Sequence, residues 1–213
     1  MKFAKLLHIV GNEPVFETGL MLAGNVNPGL VRKQLTLWTK AGKLHQLRRG
    51  LYTLAAPFQK SPPHPFLIAN RLMHGSYVSC QSALAYYGLI PEYVPTVTSV
   101  TTLRPGHWET PLGRFEFRHI KREFFYGYRA EQVADEQMAS IASPEKALLD
   151  LIYLQPGGDS PDYLHELRLQ NLDQLNVEAL RRLADRAHSP KLNRAIMHIA
   201  ATALAEAEAY EAL

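Results

Sequence analysis

Cysteine is all but missing: the 213 residues hold one, Cys80. An internal disulfide framework is therefore excluded and a reducing compartment expected. Long apolar runs are missing too, and no stretch reaches the roughly 18 consecutive apolar residues that a membrane span requires. The opening MKFAKLLHIVGNEPVF is basic and apolar but short, interrupted by His8 and without a small-residue cleavage site, so no signal peptide is expected. The nine histidines form no HxxxH or HxH pair and there is no CxxC, so no metal centre is expected. G-x-S-x-G, P-loop, G-x-G-x-x-G and kinase signatures are all absent, which leaves no catalytic residue and no cofactor to name. The remaining expectation is a cytoplasmic protein without enzymatic activity. Acidic residues are scarce in one region only. Residues 1–60 hold nine Lys/Arg against Glu13 and Glu17, a balance of +7, while residues 61–213 hold 14 basic and 18 acidic residues, a balance of −4. Such asymmetry points to a polyanion-binding module joined to something else. At 46% hydrophobic and 20% charged residues, the whole has the composition of an ordinary globular protein.

The basic region centres on NPGLVRKQLTLWTKAGKLHQLRRGLYTL, residues 27–54. Asn27 is a natural N-cap, Pro28 suits the first helical position, and Gly42 supplies a stop. At about 100° per residue, Leu30, Val31, Leu35, Leu37, Trp38 and Ala41 share one arc, predicted to be the buried face. Arg32, Lys33, Thr36, Thr39 and Lys40 fill the opposite arc, and only Gln34 is on the wrong side. Two short runs follow, Lys43 to Leu47 and Leu51 to Leu54, joined by Arg48-Arg49-Gly50 as a hairpin turn. Lys2 to Val10 reads as a first helix ending at Gly11, and a second, shorter one within Phe16 to Ala23 carries Leu20 and Met21 and closes at Gly24-Asn25. Three helices and a hairpin describe a winged helix-turn-helix, in which the second helix of the pair enters the major groove.

The segment AAPFQKSPPHP carries prolines at 57, 62, 63 and 65, and it predicts a semi-rigid spacer. The expected division is a DNA-binding domain at 1–56, a linker at 57–65 and a second domain at 66–213. In that second part, Phe66 to Met73 reads as a helix, and Ser79 caps another through Tyr87, stopped by Gly88. Thr96 to Thr102, Arg114 to Ile120 and Phe124 to Tyr128 read as strands of a small antiparallel sheet. Ser143-Pro144 opens a helix whose apolar face is Ala147, Leu148, Leu151 and Ile152, leaving Glu145, Lys146 and Asp150 for the exposed side. Helices at 161–169, 177–187 and from Pro190 onward complete an α+β chain.

DNA binding requires positive charge against phosphates and short donors or arginines at base edges. Arg32 and Thr36, toward the helix N-terminus, are the expected base contacts. Lys33, Lys40, Lys43, Arg48 and Arg49 are the expected phosphate contacts, with Thr39 on the same stripe. Trp38 and Tyr52 are expected in the core. Two rivals compete with this reading. One is a basic module that binds RNA or a protein instead. The other is a metal-dependent nuclease, with Glu116-Phe117-Arg118 as a carboxylate-x-base element and Asp135, Glu136 or Glu145 as partners. Strand alternation accounts more simply for Glu116 and Arg118 as the solvent side. His107 and His119 could meet across a hairpin, but edge histidines are the plainer explanation.

Four stretches resemble the AbiEi-type antitoxins of type IV toxin–antitoxin systems: AGKLHQLRRGLYTL at 41–54, SCQSALAYYGLIPE at 79–92, TPLGRFEFRHI at 110–120 and IASPEKALLDLIYL at 141–154. The first is generic to winged helices, whereas the second and fourth together are more specific. The resemblance implies a transcriptional regulator associated with viral defence. Its winged helix would bind inverted repeats in double-stranded operator DNA through Arg32, Lys33, Thr36, Lys40, Arg48 and Arg49 and repress its own operon. Its second domain would counteract a nucleotidyltransferase toxin.

Overall fold

A computed structural model describes residues 2–23 and 26–211. The first unit begins with α1 (Phe3–Val10), a two-residue strand β1 (Phe16–Glu17) and a 3₁₀ turn at Thr18–Met21. The expected second helix is thus a strand and a single tight turn. Its proposed closure at Gly24-Asn25 lies outside the described residues. Then comes α2 (Pro28–Lys40), whose start is as the sequence indicates: Asn27 Oδ1 accepts the backbone N–H groups of Gly29 and Leu30 at 2.8 and 3.3 Å. Gly42 follows at φ +68°, a conformation that costs glycine little. Strands β2 (Leu44–Arg48) and β3 (Leu51–Leu54) form an antiparallel hairpin with an irregularity between Gln46 and Arg48, and β1 adds to β3 to give the order β1-β3-β2.

Every residue of β3 is buried, although an exposed hairpin would alternate. The cause is that this small sheet has both faces covered. Phe16, Leu44, Tyr52 and Leu54 pack with Leu6, Val10, Met21, Val31 and Leu35 of the helices on one side. Val15, Leu47 and Leu51 join the core of the rest of the chain on the other.

The Pro-rich segment does not hold two bodies apart. Phe58 packs edge-on against Phe3 with centroids 4.9 Å apart, and Gln59 Nε2 donates to Thr53 Oγ1 at 3.1 Å. From the far side Gln137 Nε2 donates to Ser61 Oγ and to the Pro62 carbonyl, while Gln137 Oε1 accepts from the His64 N–H at 2.8 Å. The expected spacer is an anchored strap.

Beyond it lie α3 (Pro65–Leu72), β4 (Ser76–Val78), α4 (Cys80–Tyr86), β5 (Thr96–Thr101), β6 (Gly106–Thr110), β7 (Gly113–His119), β8 (Tyr128–Ala134), β9 (Gln137–Ala142), α5 (Pro144–Leu154), α6 (Pro161–Glu166), α7 (Val177–Ala187) and α8 (Pro190–Glu211). In place of a small antiparallel sheet there are six mixed strands in the order β6-β7-β5-β4-β9-β8, with β4/β9 and β5/β7 parallel. The sheet is mixed because β5 runs antiparallel to β4 on one side and parallel to β7 on the other. Residues 124–128 contribute only the start of β8. Among the described residues no helix is long and apolar enough to cross a membrane.

The helix α5 runs through the middle of this core, with all eight residues from Glu145 to Ile152 buried. The expected exposed side, Glu145, Lys146 and Asp150, is inside as well. It is tolerated there because each group is partnered. The Lys146 ammonium is paired with Asp150 Oδ1, and Asp150 Oδ2 accepts from Tyr77 Oη at 3.0 Å and Ser79 Oγ at 2.7 Å. Glu145 Oε1 accepts the Asn176 N–H at 3.0 Å. Ser79 stands at the start of α4 as expected, yet its hydroxyl makes no cap there because it is committed to Asp150.

Candidate nucleic-acid interface

The helix α2 rests on β2 and on the Thr18–Met21 turn through Val31 and Leu35, which are buried, and Trp38, which is half-buried and meets Phe3 edge-on at 5.3 Å. That stripe fixes which residues face away. Arg32, Lys33, Thr36 and Lys40 are all exposed. Among the described residues none of these four, nor Arg49, joins a salt bridge. The charges of Arg32, Lys33, Lys40 and Arg49 are thus uncompensated among the described residues. Because the second part of the chain packs on the opposite face of the sheet, the outward stripe points away from it.

Not all the expected residues join that surface. Thr36 Oγ1 donates to the Arg32 carbonyl at 3.0 Å and Thr39 Oγ1 to the Leu35 carbonyl at 2.9 Å, so both hydroxyls keep only acceptor capacity outward. Thr39 is half-buried at the margin. Lys43, also half-buried, holds its ammonium 4.8 Å from the centroid of the Phe3 ring. Arg49 is exposed at the hairpin tip, but Arg48 turns inward. Its Nη2 donates to the Arg71 carbonyl at 3.3 Å, its Nη1 donates to the Arg49 carbonyl at 3.3 Å, and Glu17 is 3.7 Å away. The tip itself is tied down, since the Thr18 N–H donates to the Gly50 carbonyl at 2.9 Å. Arg48, expected at a phosphate, is thus half-buried at the junction of the hairpin with α3.

A second correction concerns the other flank of the helix. Leu30 and Leu37, expected in the core, are 62% and 55% exposed. Gln34, the polar residue on the wrong side, is half-buried and its Oε1 has no hydrogen-bond partner among the described residues. The outward face therefore carries two parallel rows, Arg32–Thr36–Lys40 and Leu30–Lys33–Leu37.

The remaining expected positions do not assemble into a site. Among the described residues no group of three or more His, Cys, Asp or Glu side chains comes together. Glu116 is exposed on β7 opposite His107 on β6, and Arg118 Nη2 donates to the Leu154 carbonyl at the end of α5 at 2.9 Å. His119 Nδ1 lies 3.0 Å from the Leu103 carbonyl, and His119 and His107 line one shallow pocket with Glu116 and Arg118. Cys80 is wholly buried, and burial, reinforced by the Asp150 carboxylate, pushes its thiol up to about 12.

No protein-family model and no curated protein matches the chain. Among solved structures, the chain is similar in fold to the RV2827C protein from Mycobacterium tuberculosis, at 15% identity and a TM-score of 0.57, over 92% of this chain and 76% of that one.

Proposed function

We propose that the protein is a sequence-specific DNA-binding transcriptional repressor, with residues 1–56 forming a winged helix-turn-helix that binds double-stranded DNA. The observation that carries the reading is the outward cationic row of α2, in no salt bridge among the described residues and set on the face of a three-stranded sheet of order β1-β3-β2 opposite the core of the rest of the chain. Arg32 and Thr36 read base edges, and Lys33, Lys40 and Arg49 hold phosphates. The resemblance of residues 41–154 to AbiEi-type antitoxins extends the proposal. In that reading the protein is a cytoplasmic component of a type IV toxin–antitoxin operon that represses its own promoter and counteracts a nucleotidyltransferase toxin.

The test is a gel shift with the DNA upstream of its gene, repeated across salt concentrations. The logarithm of the binding constant should fall by about 0.9 per log unit of salt for each phosphate contact, and replacing Lys33 and Lys40 by alanine should flatten that slope by about two. Arg32→Ala should weaken binding and relax base preference with a smaller change of slope. Unchanged affinity in both the double variant and Arg32→Ala rejects the assignment. A co-expression rescue assay against the neighbouring gene product tests the antitoxin role separately.

A further inference from the structure

From the apolar row of α2 we infer a thymine-reading flank: Leu30 and Leu37 contact the C5-methyl groups of thymine in the major groove, an inference that rests on the DNA-binding reading above. The two leucines are 62% and 55% exposed on a thirteen-residue helix, although the same helix buries Val31 and Leu35. What covers them is decided by Lys33. It falls three residues after Leu30 and four before Leu37, on the same row, and it is exposed and makes no salt bridge among the described residues. An apolar partner surface, including a second copy of this chain, could cover both leucines only by stripping water from the ammonium between them. It would also occlude the Arg32–Thr36–Lys40 row alongside.

A B-form duplex meets both demands at once. Phosphates line the lips of its major groove, within reach of a lysine, while methyl groups on its floor mark thymine and no other base. The face is thus asymmetric, with one row offering guanidinium and hydroxyl to base edges and the other offering aliphatic carbon to thymine. The same chemistry separates DNA from RNA, because uracil lacks the methyl and the A-form major groove is too narrow for side chains to read.

The experiment uses the full-length protein. Duplexes that it binds are enriched from a randomised pool, and each thymine of the enriched site is replaced in turn by deoxyuridine, which removes only the methyl. Binding is followed by fluorescence anisotropy. Withdrawing one buried methyl should weaken binding about fourfold at one or two thymines. Leu30→Ala or Leu37→Ala should abolish that discrimination while leaving the circular dichroism spectrum unchanged. If a site is enriched and bound but no deoxyuridine matters, or the effect persists in both leucine variants, the flank has another role and the DNA reading stands. If no duplex is enriched, both fail. If the alanine variants convert a dimer to a monomer in sedimentation velocity, the row is a self-contact and the inference is overturned.

Discussion

Removing the buried Lys146 ammonium by Lys146→Met should unfold the protein far more readily than the loss of one helix-surface charge would. Lys146 is 2% and Asp150 1% exposed, so the variant leaves a carboxylate inside the core with only the hydroxyls of Tyr77 and Ser79 to receive it. Breaking a buried pair from one side costs about 3–5 kcal/mol. The two surviving donors place this case near 3, a fall of about 1.5 M in the urea midpoint at a slope of about 2 kcal/mol per molar. The pH dependence gives a second handle. Burial pushes the Asp150 carboxyl above its ordinary range, with the Lys146 charge pulling it down. Without that ammonium the folded carboxyl titrates higher still, above the unfolded value of about 3.9. Folding then takes up a proton, so stability is greatest below about pH 4 and falls as pH rises, by at most about 1.4 kcal/mol per unit. The deficit relative to the parent should accordingly be smaller at pH 5 than at pH 8. Lys146→Met combined with Asp150→Asn removes both charges but keeps an acceptor for the two hydroxyls, and should recover at least half the loss. A deficit under about 1 kcal/mol, or one equal at both pH values, would refute the reasoning.

Arg48 and Arg49 should separate cleanly. Arg49→Ala should lower the salt slope of DNA binding by about 0.9 without affecting stability, whereas Arg48→Ala should leave the slope alone and cost about 1–2 kcal/mol through the lost junction bonds, read by thermal unfolding. Cys80 should resist thiol reagents in the folded protein, because it is fully buried and its thiol is held near 12, and react promptly once urea exposes it; rapid labelling of the native state would contradict the placement. Gly127→Ala should destabilise by about 3 kcal/mol. Its φ is +74°, and an added Cβ would stand 3.0 Å from Lys146 Cγ, whose stem is locked by the ion pair.

The sequence foretold best the features whose causes are local. The cap of α2 by Asn27, the stop at Gly42, the opening of α5 at Ser143-Pro144 and the span of α7 follow from chemistry confined to a few neighbouring residues. It foretold poorly what depends on partners distant in the chain. Strands β6 and β9 have no strong alternation of their own, and they are strands because β7 and β8 pair with them along their length. Glu145, Lys146 and Asp150 look like the wet side of an amphipathic helix until Tyr77, Ser79 and Asn176 are brought to them from 31 to 73 positions away. Charge at helical spacing marks a solvated face only when the fold leaves that face uncovered.

The helix α2 shows the converse error, and its cause bears on function. Six apolar residues share an arc by periodicity, but a helix resting on a sheet of three short strands has support for a narrow stripe only. Val31, Leu35 and Trp38 fill that stripe, and among the described residues nothing buries Leu30 or Leu37. A helix selected only for packing would carry polar residues at those two positions, since burying them gains nothing here and exposing them favours aggregation. Leucine there, interleaved with an unpaired lysine and facing away from the six-stranded sheet, breaks the local rule on the surface already singled out by its charge. Departures of this kind concentrate where a chain is shaped for something outside itself. The residues that periodicity misplaces and the residues that charge singles out are neighbours on one face, and under the proposed function a groove that is anionic at its lips and shows thymine methyls among the donors and acceptors of its floor would account for both.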